Sequence, residues 1–284
     1  MAYPRFSISA TSTFDASFDE DLAAYVAAGV QGIGLWEYKL PKGQDKRLRE
    51  ALQKSGLKAT ICVPEVPSII PDPFFAKPTE AKERRKELVA AIRRLAAFDP
   101  VAVMVLPGAP AGDAAETRRI VIDGLKAASD AAGEVGVTLG FEPLRKEAGS
   151  IVNTMPESIE MIDQIGAKNM RVVYDTWHFW DTPGVYDHIR DYAKWIIAVQ
   201  INDRPKNPRS WMDRVLTGDG IMDLPKIFGA LEAAGYTGWY DVEVFSDKAY
   251  PDSLWELSPE EFAKRALAKF KTSWDKRQTT AAKK

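Results

Sequence analysis

The sequence predicts an α/β fold: one closed barrel of eight parallel strands ringed by eight helices, the (β/α)8 architecture. Three observations predict it. Short β-branched, apolar runs alternate with amphipathic Ala/Leu-rich stretches along nearly the whole chain, and a Gly followed by an apolar residue recurs where a stretch gives way to the next run. The length, 284 residues with no compositional break, suits one such barrel, which typically needs about 250 residues.

The recurring punctuation reads Ala28-Gly29-Val30, Ser55-Gly56-Leu57, Val135-Gly136-Val137 and Ala234-Gly235-Tyr236. Gly is favoured just past a helix because it accepts the left-handed backbone conformation. With these junctions as markers, strands are predicted at 6–10, 32–36, 59–63, 102–106, 138–142, 171–175, 196–201 and 240–245. Helices are predicted at 18–28, 44–55, 79–97, 115–134, 156–165, 185–194, 224–234 and 259–273. Strict alternation demands parallel strands with helices outside, and eight repeats close a barrel. Residues 1–275 form that single domain, and 276–284 a basic tail.

Two segments break the rhythm. Residues 62–78 carry Pro64, Pro67, Pro71, Pro73 and Pro78, and so long a connection after a strand is expected to be a lid or substrate loop. From Lys264 onward eight basic residues face one acid, which predicts a solvated helix face running into the tail.

Bulk composition removes several classes of function. Hydrophobic residues at 45% and charged residues at 27% fit a folded globular protein, and a net charge of −2 gives no reason to expect nucleic acid as a partner. Cys62 is the lone cysteine, so no internal disulfide forms, and its setting in Ala-Thr-Ile-Cys-Val predicts a buried strand position. There is no apolar run of the roughly 18 residues a membrane span needs, and no charged-then-apolar leader, so the expectation is a cytoplasmic protein away from membranes.

The chemistry is expected where strands end, because the carboxyl ends of parallel strands share one face. Polar side chains there are Glu37, Glu65, Glu142, Asp175, Gln200 and Glu243, with His178 and Asp203 just beyond strands six and seven. Asp241 and Glu243 alternate on one face of strand eight, which places one below the other. Carboxylates inside a barrel are costly unless paired or bound to a cation, and three in one pocket call for a divalent ion. Trp36, Trp177, Phe179 and Trp180 also fall at strand ends, where flat rings suit the C–H face of a sugar or an aromatic aglycone. Arg204 and Arg214 flank the seventh-strand loop within reach of substrate oxygens, and Glu37 is an additional acid at the rim.

An ordered set of motifs carries a resemblance over nearly the whole chain. Glu142-Pro143 follows strand five, Asp175-x-x-His178 strand six, and Val-Gln-Ile-Asn-Asp-Arg closes strand seven. Thr-Gly-Asp-Gly then precedes Met222-Asp223-Leu224, and Gly-Tyr-x-Gly-x-x-x-Val-Glu ends at Glu243. This set resembles the sugar phosphate isomerase/epimerase family of xylose isomerase-like TIM barrels, which includes ketose epimerases, hydroxypyruvate isomerase and the inosose isomerase and dehydratase branches. The resemblance implies one divalent metal held by Glu142, Asp175, Gln200 and Glu243, with Glu142 and Glu243 as the catalytic acid/base pair.

The activity so implied is isomerisation or epimerisation of a small sugar, keto-sugar or polyol. A proton α to a carbonyl is removed while a Lewis acid holds the enediolate charge. His178, Trp36, Glu37, Arg204, Arg214 and Trp177 are the expected substrate contacts. Gln200 departs from the histidine often found at its position, although inosose dehydratases also carry glutamine there. An all-oxygen set favours Mn²⁺, with Mg²⁺, Co²⁺ or Zn²⁺ as alternatives. The same metal and base would serve a lyase that dehydrates a keto-sugar or cleaves a keto-glycoside. No Gly-rich phosphate cradle is present, which favours a free carbohydrate, and related barrels imply a homo-oligomer.

Overall fold

Parallel pairing carries the chain once around a barrel. In the computed structural model, which describes residues 3–277, the strands are β1 (Arg5–Ser9), β2 (Gly32–Trp36), β3 (Lys58–Val63), β4 (Ala102–Val105), β5 (Leu139–Phe141), β6 (Met170–Asp175), β7 (Ile196–Ile201) and β8 (Trp239–Val242). Each pairs in parallel with the next, and β8 closes against β1. The helices are α1 (Phe18–Ala28), α2 (Asp45–Ser55), α3 (Ala81–Ala96), α4 (Ala114–Glu134), α5 (Met155–Ile165), α6 (Thr176–Phe179), α7 (Val185–Tyr192), α8 (Leu224–Ala233) and α9 (Pro259–Asp275).

All eight predicted strands and all eight predicted helices are present, with ends displaced by up to three residues. The glycine punctuation is physical: Gly29, Gly56, Gly136 and Gly235 have φ of 77°, 73°, 71° and 80°, the left-handed region that ends a helix without a Cβ penalty. At the other ends, Ser17 with Glu20 and Thr154 with Glu157 form capping boxes on α1 and α5.

Among the described residues, α6 is the one α-helix that periodicity did not reveal. It is a single turn directly after β6, started by the Asp175 side chain accepting the Trp177 N–H at 2.9 Å. β8 ends at Val242 rather than 245, yet the Glu243 N–H still donates to the Ile201 carbonyl. Thus Glu243 stands just above the last rung.

The core lies between the strands and their covering helices, where Phe6, Phe228, Tyr240 and Phe270 are each no more than 2% exposed. Cys62 is buried in β3, and burial pushes its thiol well above the usual range. Of the basic tail expected over 276–284, residues from 278 onward lie outside the described residues. Among the described residues no helix is long and apolar enough to cross a membrane.

The Pro-rich connection after β3 folds back over the barrel mouth. Asp72 accepts the N–H groups of Phe74 and Phe75 at 2.8 and 2.9 Å and the Ser68 hydroxyl at 3.1 Å, fixing the turn that presents both rings. Arg84 of α3, fully buried, donates to the carbonyls of Ser68, Phe75 and Pro78.

Candidate metal centre and substrate pocket

Four strands deliver four buried oxygen-bearing side chains to one end of the barrel: Glu142 after β5, Asp175 from β6, Gln200 from β7 and Glu243 after β8. Their exposures are 5%, 0%, 0% and 3%. Register places Asp175 opposite Gln200. The Gln200 amide donates to Glu243 Oε1 at 2.7 Å, whereas its buried Oε1 has no partner.

Asp175 divides its oxygens between two tasks. Oδ1 accepts from the Trp177 N–H and from Asn202 Nδ2, both at 2.9 Å, which fixes the carboxylate; Oδ2 faces Arg214 Nη1 at 3.1 Å. The same Nη1 lies 3.4 Å from Glu243 Oε2. Arg214 itself is clamped between the rings of Trp177 and Phe245, 5.0 and 4.7 Å from their centroids.

Glu142, Asp175 and His178 offer potential ligand atoms within 4.8 Å of one another, a cluster that could hold a divalent cation. Hydrogen bonding assigns His178 a different part. The Arg145 N–H donates to His178 Nδ1 at 3.2 Å, so Nδ1 carries the lone pair and Nε2 the proton. Nε2, with its proton, stands 3.7 Å from both Glu142 Oε1 and Asp175 Oδ2, beyond hydrogen-bond reach of either. Burial, opposed only in part by Asp175, lowers the imidazole to about 4, so the ring is neutral near pH 7.

The electrostatics are those of a site short of positive charge. Burial and then the neighbouring carboxylates Glu243 and Asp175 push Glu142 well above the ordinary carboxyl range. Burial likewise raises Glu243, against the pull of Arg214. Three carboxylates against one guanidinium leave a formal charge of −2, which one divalent cation neutralises. An orphaned amide oxygen beside three under-compensated carboxylates fits such an ion.

Above this floor opens a cavity of about 950 Å³. Trp36, Trp177, His178, Arg204 and Arg214 all line it together with Glu142 and Glu243. The Arg204 guanidinium lies 5.5 Å from the Trp177 ring.

Glu37, expected as a substrate contact, does not line this cavity. Its carboxylate is bound by Arg94 at 3.1 Å and by the Glu65 N–H at 3.0 Å, and it lines a separate surface hollow, because the chain turns outward after β2. Asp203 also serves structure. It accepts the N–H groups of Arg204, Gly218, Gly220 and Met222, tying the loop after β7 into a knot. A Cβ at Gly220 would sit 2.3 Å from the Arg204 carbonyl, so the knot requires glycine there. Phe179 stacks on Tyr174 at 4.8 Å, away from the cavity.

Sequence reasoning missed Ser9. Its hydroxyl accepts from Trp36 Nε1 at 2.8 Å and lies 3.4 Å from Glu243 Oε1, linking a pocket wall to the acid. The alternation Ser7, Ser9 in β1 was the available signal, since both point inward; Ser7 donates to Asp241, which lies beneath Glu243 as expected.

Comparison with known proteins agrees with this architecture. 3-Dehydroshikimate dehydratase of Pseudomonas putida is 26% identical over 250 residues, covering 84% of this chain and 38% of that protein. Inosose isomerase of Halalkalibacterium halodurans is 28% identical over 158 residues, covering 53% of each. The chain therefore spans about half or less of the length of these relatives. Among solved structures, the IolI protein with a bound zinc atom superposes with a TM-score of 0.79 at 20% identity, covering 97% of this chain and all of that one. The sequence model of the xylose isomerase-like TIM barrel matches residues 22–272, and the chain belongs to that family.

Proposed function

We propose that the chain is a divalent-cation-dependent isomerase or epimerase of a small, unphosphorylated sugar, keto-sugar or polyol, acting at a carbon α to a carbonyl. One observation carries this reading: Glu142, Asp175, Glu243 and the unpartnered Gln200 oxygen share one buried end of the barrel and are faced by a single guanidinium, that of Arg214, which leaves them short of positive charge. These four side chains would hold the cation, and their all-oxygen character favours Mn²⁺ over zinc. A bound divalent cation supplies Lewis-acid polarisation of the substrate carbonyl.

The remaining steps belong to the protein. Glu142 and Glu243 line the cavity just past strands β5 and β8, at the floor where the substrate carbon would rest. Two carboxyl groups at that floor are what taking a proton from a carbon and returning it requires. His178 directs its Nε2 proton into the same space and donates to a substrate oxygen, while Arg204 and Arg214 offer fixed donors to hydroxyls.

A lyase reading has its own support, since one of the relatives matched over most of this chain is a dehydratase. The two share proton abstraction and part at the next step, when a β-substituent either leaves or stays. Mn²⁺-loaded protein incubated in D2O with a panel of inososes and ketoses separates them by NMR. We expect deuterium at the carbon α to the carbonyl, with Glu243→Gln slowing exchange by about 10²-fold or more. Loss of water from the product selects the lyase. Absence of exchange in every substrate with the cation bound defeats both.

A further inference from the structure

The cavity is larger and more aromatic than a small polyol requires. At about 950 Å³ it stands near the top of the range of roughly 300–1,000 Å³ for ligand pockets. The polar residues of its floor, Glu142, His178, Arg214 and Glu243, occupy one end. Aromatic rings occupy the other. Phe14, Tyr38, Phe74 and Trp211 are 41%, 43%, 38% and 41% exposed, and they are four of the eight large hydrophobic residues so exposed among the described residues. They come from four separate loops, after β1, β2, β3 and β7, yet all line this one opening.

These rings form a connected surface. Phe74 meets Trp211 edge-on at 4.1 Å, Trp211 meets Phe245 at 5.4 Å, and Phe14 stacks on Trp255 at 4.5 Å. Gathering exposed rings at a single mouth marks a binding site for an apolar group. A second sugar ring would lay one C–H face on these rings and still need hydrogen-bond partners for its hydroxyls, whereas a flat aryl group needs none. Arg145, a cation at this level, is already engaged by Glu147 and Asp181.

We infer that the mouth binds a flat aromatic group attached to the substrate, so that the reactive, polyhydroxylated part rests on the carboxylate floor while an aryl substituent lies among Phe74, Trp211 and Phe245. The assignment of the polar part rests on the proposed function; the aryl site does not. It extends the substrate class beyond the free monosaccharide, to an aryl glycoside or other aryl-substituted polyol.

The test compares phenyl β-D-glucopyranoside with methyl β-D-glucopyranoside by calorimetric titration of the full, cation-loaded chain. Phenyl is expected to bind about tenfold tighter or better, from offset and edge-on ring contacts. In the double variant Phe74→Ala/Trp211→Ala, both exposed loop positions, the phenyl-to-methyl ratio should fall to near one with the thermal melt retained. Equal affinities in the unmodified protein, no binding of either glucoside, or a ratio that survives the double substitution overturns the inference. So does size-exclusion light scattering that reveals self-association abolished by the same variant, since the rim would then be a subunit interface. Exchange of aryl-free ketoses in D2O alongside any of these failures leaves the proposed function standing.

Discussion

Gln200 concentrates the residue-scale logic of the site. Its amide nitrogen steadies Glu243 at 2.7 Å while its oxygen is buried without a partner, an arrangement that costs free energy unless a cation or donor takes the oxygen. Replacing it with an imidazole changes the ligand from hard oxygen to nitrogen, so Gln200→His should shift preference from Mn²⁺ towards Zn²⁺. Competition dialysis with both ions, read by elemental analysis, checks this; an unchanged zinc-to-manganese ratio would remove Gln200 from the proposed ligand set. Individual roles were unevenly legible in the sequence. Asp175 and Glu243 announce themselves as carboxylates at the ends of apolar runs, whereas Glu37 has the same local appearance and is drawn off by Arg94, 57 positions away. No local pattern distinguishes the two cases.

Among the elements, the lid after β3 and the knot after β7 shape the pocket. Five prolines mark the lid in the sequence, but the lid's conformation depends on donors that only folding supplies. Arg84 reaches out of α3 to three carbonyls of the lid, at 3.0, 2.8 and 2.9 Å, and to the Ser68 hydroxyl at 2.6 Å. Arg84→Met keeps the apolar stem and strands those carbonyls, so it should cost about 3 kcal/mol in urea unfolding. Limited proteolysis should then cut first between residues 70 and 80. A lid as resistant as that of the unmodified protein would show that its own turn, built on Asp72, suffices. The helices needed no such help to be read: capping boxes and glycine stops encode their ends locally. α6 escaped because one turn held by the Asp175 carboxylate has no periodicity to detect.

For the whole molecule, the buried acids make stability depend on pH and on the cation together. Glu243 is raised to about 8 and Asp241 to about 7, in both cases first by burial. A carboxyl raised above its unfolded value stabilises the fold fully below that unfolded value, and the contribution is lost as pH climbs through the folded one. His178, lowered to about 4, acts in the opposite sense but mainly below its unfolded value of 6.5. Between pH 6.5 and 8, chelated protein should therefore lose Tm as pH rises, at up to about 1.4 kcal/mol per pH unit for each proton the folded state keeps. Mn²⁺ requires ionised ligands and should restore more Tm at pH 8 than at pH 6.5. Calorimetric scans with and without chelator test this, and a Tm gain independent of pH would contradict raised carboxyls at the metal site.

Across these scales, the sequence by itself determined the count and order of the strands and of the eight longer helices, the face on which polar strand-end residues gather, and the family. The first two rest on local periodicity, capping and turn chemistry, and the family on the resemblance of the ordered strand-end motifs, all of which a linear pattern carries. Tertiary structure decided which of the acids face one another, which way His178 points its proton, that Ser9 joins Trp36 to Glu243, and that rings from separate loops ring one opening. Those outcomes depend on barrel closure and loop packing between residues far apart in the chain, and no spacing along the sequence encodes them.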